Sequence, residues 1–265
     1  MLLRIEDLDV SFRNEEGVVT SAARDVSLTL DRGDVLGLVG ESGSGKSSVA
    51  MSIPRLLPSP PAFWPKGRIL FDGVDTLSMA IADLRRIRGS RIGVVFQDPI
   101  GSLSPLHRIG DQLVETIRLH RDVSEKSARA QALEWLGRVG LADPETGARA
   151  YPHELSGGMQ QRVMIAMGLM LGPDLVIADE PTTALDVTIQ AQVLKLMKQL
   201  HQSNSGVLLI THDLGVVSQM ATKLAVMKDG RVVETSDDPS AFFEMPKHPY
   251  SQGLVREAKR MELES

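Results

Sequence analysis

Lys46 lies in a stretch whose residue types and spacing suit the holding of phosphate. Gly40-Glu41-Ser42-Gly43-Ser44-Gly45-Lys46-Ser47 matches, at every position, a glycine, four residues of any type and then Gly-Lys-Ser/Thr. The glycines allow the chain to turn backbone N–H groups inward around an anion, at the positive start of a helix. Lys46 is then placed to neutralise the β and γ phosphates of a nucleotide, and Ser47 to hold Mg²⁺. Ser42, Ser44 and Ser48 fall in the same run and join Gly40, Gly43 and Gly45 as candidate phosphate-site residues. An apolar, strand-like segment (residues 35–39) leads into the loop. In that setting the match is far stronger than a chance glycine-rich turn.

A phosphate site that cleaves its ligand also needs acids. Residues 175–178 form a second apolar run, and Asp179 and Glu180 end it. Strand alternation aims neighbouring side chains to opposite sides, so the two carboxylates can take separate roles. Asp179 is expected to bind Mg²⁺ through water, and Glu180 to polarise the attacking water as a general base. Alone, such a pair at a strand end is usually a solvated turn. Beside the glycine loop the functional reading is favoured.

A second anion cradle is written in Leu155-Ser156-Gly157-Gly158-Met159-Gln160-Gln161-Arg162, where Ser156 and the N–H groups of Gly157 and Gly158 open a helix. This run closely resembles the LSGGQ signature of the ABC ATPases, with Met159 in place of the usual glutamine. Further elements of that family follow in order. The resemblance implies that the Ser156–Gly158 cradle caps the γ-phosphate held by an opposite subunit. It implies that Gln97, ending the run 91–97, contacts Mg²⁺ beside the groove for a membrane subunit. Ala184-Leu185-Asp186 resembles the loop that crosses the dimer interface, and His212 resembles the histidine that hydrogen-bonds the γ-phosphate. Phe12 stands where the family places an aromatic ring on adenine, although a phenylalanine in an early strand is also ordinary core.

The elements that must position these residues read as an α/β chain. Residues 3–12, 26–30 and 35–40 are β-like, and a helix opens near Lys46. Residues 54–67 hold five prolines and are expected to form a loop. Strands are expected at 67–73 and 91–97. Residues 111–120, 124–140 and those after Ser156 carry helical periodicity. The β/α alternation resumes at 175–180, with a helix near 187–201 and strands at 207–212, 224–227 and 231–234. The simplest architecture is a parallel-sheet core interrupted by a mostly helical insertion at about 100–165. The resemblance implies the ABC ATPase fold, a P-loop nucleotide-hydrolase core with an N-terminal antiparallel β subdomain and an inserted helical subdomain. The ATPase domain is expected to span 1–235, with a short tail over 236–265. Met164, Met167 and Met170 read as core packing, and Asp237-Asp238 as a solvated turn.

Composition narrows the function. The 265 residues carry a formal charge of −5, so phosphate binding must be local and geometric, and a general nucleic-acid partner is not expected. The absence of cysteine excludes disulfides, thiolate zinc sites and iron–sulfur clusters. Residues 1–12 are expected not to be a secretion signal, and no apolar run approaches the ~20 residues that span a bilayer. A transport role therefore requires separate membrane-spanning subunits.

Within the family, a free-standing ATPase domain is expected of importers. Asp98-Pro99-Ile100-Gly101-Ser102-Leu103-Ser104-Pro105, Tyr151-Pro152-His153-Glu154 and Lys247-His248-Pro249-Tyr250 resemble stretches of the peptide- and nickel-importer ATPases. Many of those extend further and carry a cysteine cluster, which is lacking here. The resemblance implies ATP and Mg²⁺ as ligands, and a second ATPase subunit, identical or homologous, as partner. It also implies permease subunits, an external solute-binding protein reached through them, and a place at the cytoplasmic face of the membrane. Di- or oligopeptides are the expected cargo. Nickel or metallophore import is the alternative, with a non-transport ATPase acting on nucleic acid or ribosomes the more distant one.

Overall fold

The structure is a computed structural model that describes residues 1–182, 187–202 and 204–264. Along the chain the elements are β1 (Leu3–Arg13), β2 (Val19–Leu30), β3 (Val35–Val39), α1 (Lys46–Ser52), β4 (Ala62–Phe71), β5 (Val74–Asp75) and α2 (Ile81–Ile87). There follow β6 (Ile92–Val95), α3 (Pro99–Ser102), α4 (Ile109–His120), α5 (Glu125–Arg138), α6 (Pro144–Arg149), a 3-10 turn (Pro152–Glu154), α7 (Gly157–Leu169), β7 (Leu175–Asp179) and α8 (Val187–Gln202). The remainder is β8 (Gly206–Ile210), α9 (Leu214–Met220), β9 (Lys223–Lys228), β10 (Arg231–Ser236), α10 (Pro239–Glu244) and α11 (Pro249–Glu264). The chain forms two compact units, Met1–Leu84 with Gly206–Ser265, and Arg85–Ser205. Among the described residues no helix is long and apolar enough to cross a membrane.

In the first unit, β2-β1-β4-β5 form an antiparallel sheet. β3 runs parallel to both β8 and β9, and β10 pairs antiparallel with β9. All five residues of β3 and all five of β8 are buried, which is why these runs are continuously apolar rather than alternating. β2 begins earlier than its apolar segment suggests. Asp25, at φ 55°, lies in the gap between the paired residues Val26 and Ala23 where the β1 register shifts, so the alternation that marks a strand is interrupted.

The proline-rich segment departs from its expected loop. Ala62–Phe71 is strand β4, with Pro65 inside it. Pro65 sits where the register with β1 shifts, between the pairs Asp9↔Lys66 and Ser11↔Phe63, and β5 pairs only with Leu70 and Phe71. A missing N–H is tolerated at such an irregular, open-edged position.

In the second unit β6 and β7 are parallel, in the register Ile92↔Leu175 to Val95↔Ala178. Their lower ends are tied by Arg91 Nε to Asp174 Oδ2 at 2.7 Å and by the Leu175 N–H donating to Arg91 O at 3.0 Å. Helices α3 to α7 fill the chain between the two strands; Met164 and Met170 are core residues, as their spacing implies, whereas Met167 is only half-buried. Asp238 is more than a solvated turn. It caps α10, its Oδ1 accepting from the N–H groups of Ser240 and Ala241 at 3.0 and 3.2 Å.

Candidate functional site

The phosphate loop grows from the end of β3, and the parallel pairing of Leu38 with Ile210 brings the end of β8 alongside it. Thr211 and His212 therefore leave the same sheet edge as Gly40, the edge at which parallel α/β sheets bind ligands. Three loop glycines occupy positive φ: Gly40 at 150°, Gly43 at 80° and Gly45 at 97°. A Cβ on Gly40 would meet Met227 O at 2.1 Å, and one on Gly45 would meet Ala22 O at 2.2 Å. One on Gly43 would meet nothing within 4 Å. Gly40 and Gly45 thus fasten the loop against β9 and β2, while Gly43 is needed for its turn and faces open space.

Lys46 is 6% exposed and arches back over the loop, its Nζ donating to Gly40 O (2.7 Å), Glu41 O (2.8 Å) and Ser44 Oγ (3.3 Å). Gly45 caps α1 without any side-chain hydrogen bond. The first-turn N–H groups have no intrahelical acceptors, and an anion in the loop would supply them. Ser42 and Ser47 are exposed at its mouth, and Ser48 is half-buried. His212 is exposed. Asp213 behind it caps α9, accepting from the N–H groups of Gly215 and Val216 at 2.8 and 3.2 Å, and so fixes where the histidine leaves β8. Phe12 lies half-buried in β1, opposite Thr20 and Ala62, in the antiparallel sheet rather than at the β3 edge.

The second unit assembles the acids in the same way. The in-phase register of β6 and β7 places Gln97 and Glu180 at one edge, with Gln97 Nε2 donating to Glu180 Oε2 at 3.3 Å. Asp179, the last residue of the wholly buried β7, is 4% exposed, whereas Glu180, one residue past the strand, is half-exposed. The two carboxylates diverge because the backbone leaves the strand at Glu180, and not by strand alternation. Glu180 has φ 47°. Of the seven described non-glycine residues at positive φ, five are Asp or Asn, which tolerate that region, leaving Glu180 and Arg55 as costly exceptions. Such strain is retained where surrounding structure holds a residue for a task.

Ser156 caps α7, its Oγ accepting from the Met159 N–H at 3.3 Å, and Gly157 is exposed with open space where a Cβ would stand. Gly158 is half-buried beside it. α7 is locked to β6 backbone against backbone, since a Cβ on Gly93 would lie 2.1 Å from Gly168 O. Sequence reading gave no role to Gln160 and Gln161. Gln160 Nε2 holds the turn before the signature through Pro152 O and Leu155 O at 2.9 and 3.0 Å. Gln161 Nε2 donates to Pro181 O at 3.0 Å, tying α7 to the segment directly after Glu180. The only sign of this in the sequence was their place one turn into a helix opened by two glycines. Ala184, Leu185 and Asp186 lie outside the described residues.

The ABC transporter family profile matches residues 23–183. The chain belongs to the ABC transporter family. The oligopeptide transport ATP-binding protein OppD of Bacillus subtilis is 46% identical, over 98% of this chain and 73% of its own length. The dipeptide transport ATP-binding protein DppD of the same organism is 46% identical, over 99% and 78%. Among solved structures, the ATP-binding cassette MJ0796, dimeric in a post-hydrolysis state with ADP and Pi, superposes with a TM-score of 0.80 at 29% identity. It covers 89% of this chain, and this chain covers 98% of it. The fold is that of an ABC ATPase, and the chain is an ATPase subunit of that family.

Proposed function

We propose that this ABC ATPase powers a peptide importer, binding and hydrolysing ATP at the cytoplasmic face of a membrane for separate permease subunits. The observation that carries the reading is near-equal identity, 46%, to an oligopeptide and to a dipeptide transport subunit over almost the whole chain. The Asp98–Pro105 and Lys247–Tyr250 stretches, which resemble importer ATPases, support it. A solute-binding protein outside the membrane would supply the permease, and nucleic acid has no part in the reading.

The residues fit ATP and Mg²⁺. In the first unit the Gly43 turn leaves room where phosphate would lie and Ser47 offers a hydroxyl oxygen; in the second, Asp179 and Gln97 offer carboxylate and amide oxygens, and all three are donors of the kind a hard cation takes. Bound there, Mg²⁺ would neutralise charge on the β and γ phosphates. Lys46 would turn its ammonium from the loop carbonyls to those phosphates. Glu180, held by Gln97, would accept the proton of the attacking water, and His212 would hydrogen-bond the γ-phosphate. Ser156, Gly157 and Gly158 would present their donors to the nucleotide of a second ATPase subunit, with Asp186 at that interface and Phe12 beside adenine. ATP would then hold two subunits together and hydrolysis would release them, a two-state element that can drive a permease.

The test is purification of the tagged chain from its native membranes in mild detergent. Co-purifying multi-span permease subunits, whose linked binding protein takes peptides, would support the reading. A linked binding protein that takes only Ni²⁺ chelates would overturn the peptide assignment. Ribosomal or DNA partners without any membrane protein would overturn transport.

A further inference from the structure

The Lys247–Tyr250 stretch of the tail reaches the phosphate loop. Tyr250, the second residue of α11, is half-buried, and its hydroxyl oxygen accepts the Glu41 N–H at 2.9 Å. That N–H belongs to the Gly40–Glu41 peptide, whose carbonyl, Gly40 O, accepts from Lys46 Nζ at 2.7 Å. One peptide plane is thus gripped on its two sides, by the tail and by the phosphate-site lysine. Glu41 O accepts a second bond from Lys46 at 2.8 Å. A peptide next to glycine rotates easily, because Gly40 has no side chain to restrict it. Rotation here would break the bonds to Tyr250 and to Lys46 together.

The tail is built to keep the phenol in place. Glu234 on β10 accepts the N–H groups of Lys247 and His248 on its two carboxylate oxygens, at 2.8 and 2.9 Å. Burial pushes the Glu234 carboxyl up, but the nearby Ser251 hydroxyl, the N–H groups of Lys247 and His248 and the His248 ring outweigh it and leave the group below its ordinary value, ionised as an acceptor. The Tyr250 N–H donates to His248 Nδ1 at 3.2 Å, and Lys228 Nζ stands 4.9 Å from the Tyr250 ring centroid. Farther along α11, Val255 packs with Phe242, Val39, Leu214, Val217, Leu224 and Val226. Val39 directly precedes Gly40, and Leu214 opens the helix after His212, so the tail is seated on the strand and helix that carry the nucleotide residues.

We infer that Tyr250 is a positioning residue for nucleotide binding, fixing the Gly40–Glu41 peptide and through it the resting place of Lys46. The inference rests on reading the loop as the ATP site. The bond is neutral and the Glu41 side is exposed, so water can replace the hydroxyl. The preorganisation lost with it weakens ATP binding about three- to tenfold, the span of one net hydrogen bond. Tyr250 touches no reacting atom, so turnover at saturating ATP stays within about twofold.

The experiment compares wild type, Tyr250→Phe and Lys46→Ala as purified full chains, with Mg²⁺ and ATP. The readouts are ATP affinity by titration calorimetry, KM and kcat for hydrolysis, and the melting temperature without nucleotide. Tyr250→Phe keeps the ring over which Lys228 lies and removes only the hydroxyl. The expected result is a three- to tenfold rise in Kd and KM at unchanged kcat, with melting within about 2 °C of wild type. Unchanged affinity in Tyr250→Phe, alongside its collapse in Lys46→Ala, overturns the inference and leaves the ATP site standing. Unchanged affinity in Lys46→Ala overturns the site itself. Should Tyr250→Phe melt early, Glu234→Gln loosens the anchor of the same turn without touching the ring. A rise in Kd there supports the inference, and wild-type affinity with a mobile tail refutes it.

Discussion

Replacing Gly45 by alanine should damage the fold, while the same change at Gly43 should damage mainly the ligand site. Both residues sit at positive φ, 97° and 80°, where an L-residue costs roughly 1–2 kcal/mol. Only Gly45 is also crowded, its new methyl lying 2.2 Å from Ala22 O on β2. That atom is backbone, so α1 and β2 must separate to admit the methyl, an overpacking cost of about 1–3 kcal/mol. Gly45→Ala should therefore lose about 2–5 kcal/mol in all, and Gly43→Ala only the conformational part. At about 2–4 °C per kcal/mol for a chain of this size, the first melts on the order of 10 °C early and the second about 4 °C early. Differential scanning calorimetry with and without ATP separates the cases. Gly43→Ala, whose methyl projects into the open space of the loop, should lose much of the thermal shift that ATP gives the wild type. Equal melting of the two variants would refute the packing argument, and a full ATP shift in Gly43→Ala would refute the placement of phosphate.

Ser156→Ala removes the cap of α7 and should lower stability by about 1 kcal/mol, read as a shift of a few degrees, while also weakening ATP-dependent self-association measured by light scattering. Stability should also fall as pH drops. Burial holds His120 below the usual imidazole value of 6.5, so the unfolded chain takes up that proton first. The stabilisation is complete above about pH 6.5 and is lost as pH descends through the lower folded value. His120→Gln should flatten that limb of a urea-denaturation series between pH 7 and 5, and an unchanged slope would contradict the assignment.

Much of the candidate site's framework was legible because it is built from local sequence. The spacing from Gly40 to Ser47, the apolar run closed by Asp179 and Glu180, and the Ser156 cap each need only neighbours in sequence, and each falls on the element expected except Glu180, which stands one residue past β7 at φ 47°. What escaped depends on pairing across distance. Pro65 reads as a breaker until β1 is seen to shift register beside it. The early part of β2 is recruited by β1 across a bulge at Asp25 that hides the alternation. The bond from Gln161 to Pro181, and that from Tyr250 to Glu41, 209 residues apart, leave no periodic trace.

The most direct test of the central claim is the paired measurement of ATP affinity and turnover in Glu180→Gln. The substitution keeps a carbonyl oxygen for Gln97 Nε2 and removes the basic carboxylate. The account predicts ATP affinity within about twofold of wild type, turnover reduced by roughly 10²–10⁴, and a dimer that persists with ATP on size-exclusion chromatography. Turnover at the wild-type rate would contradict it.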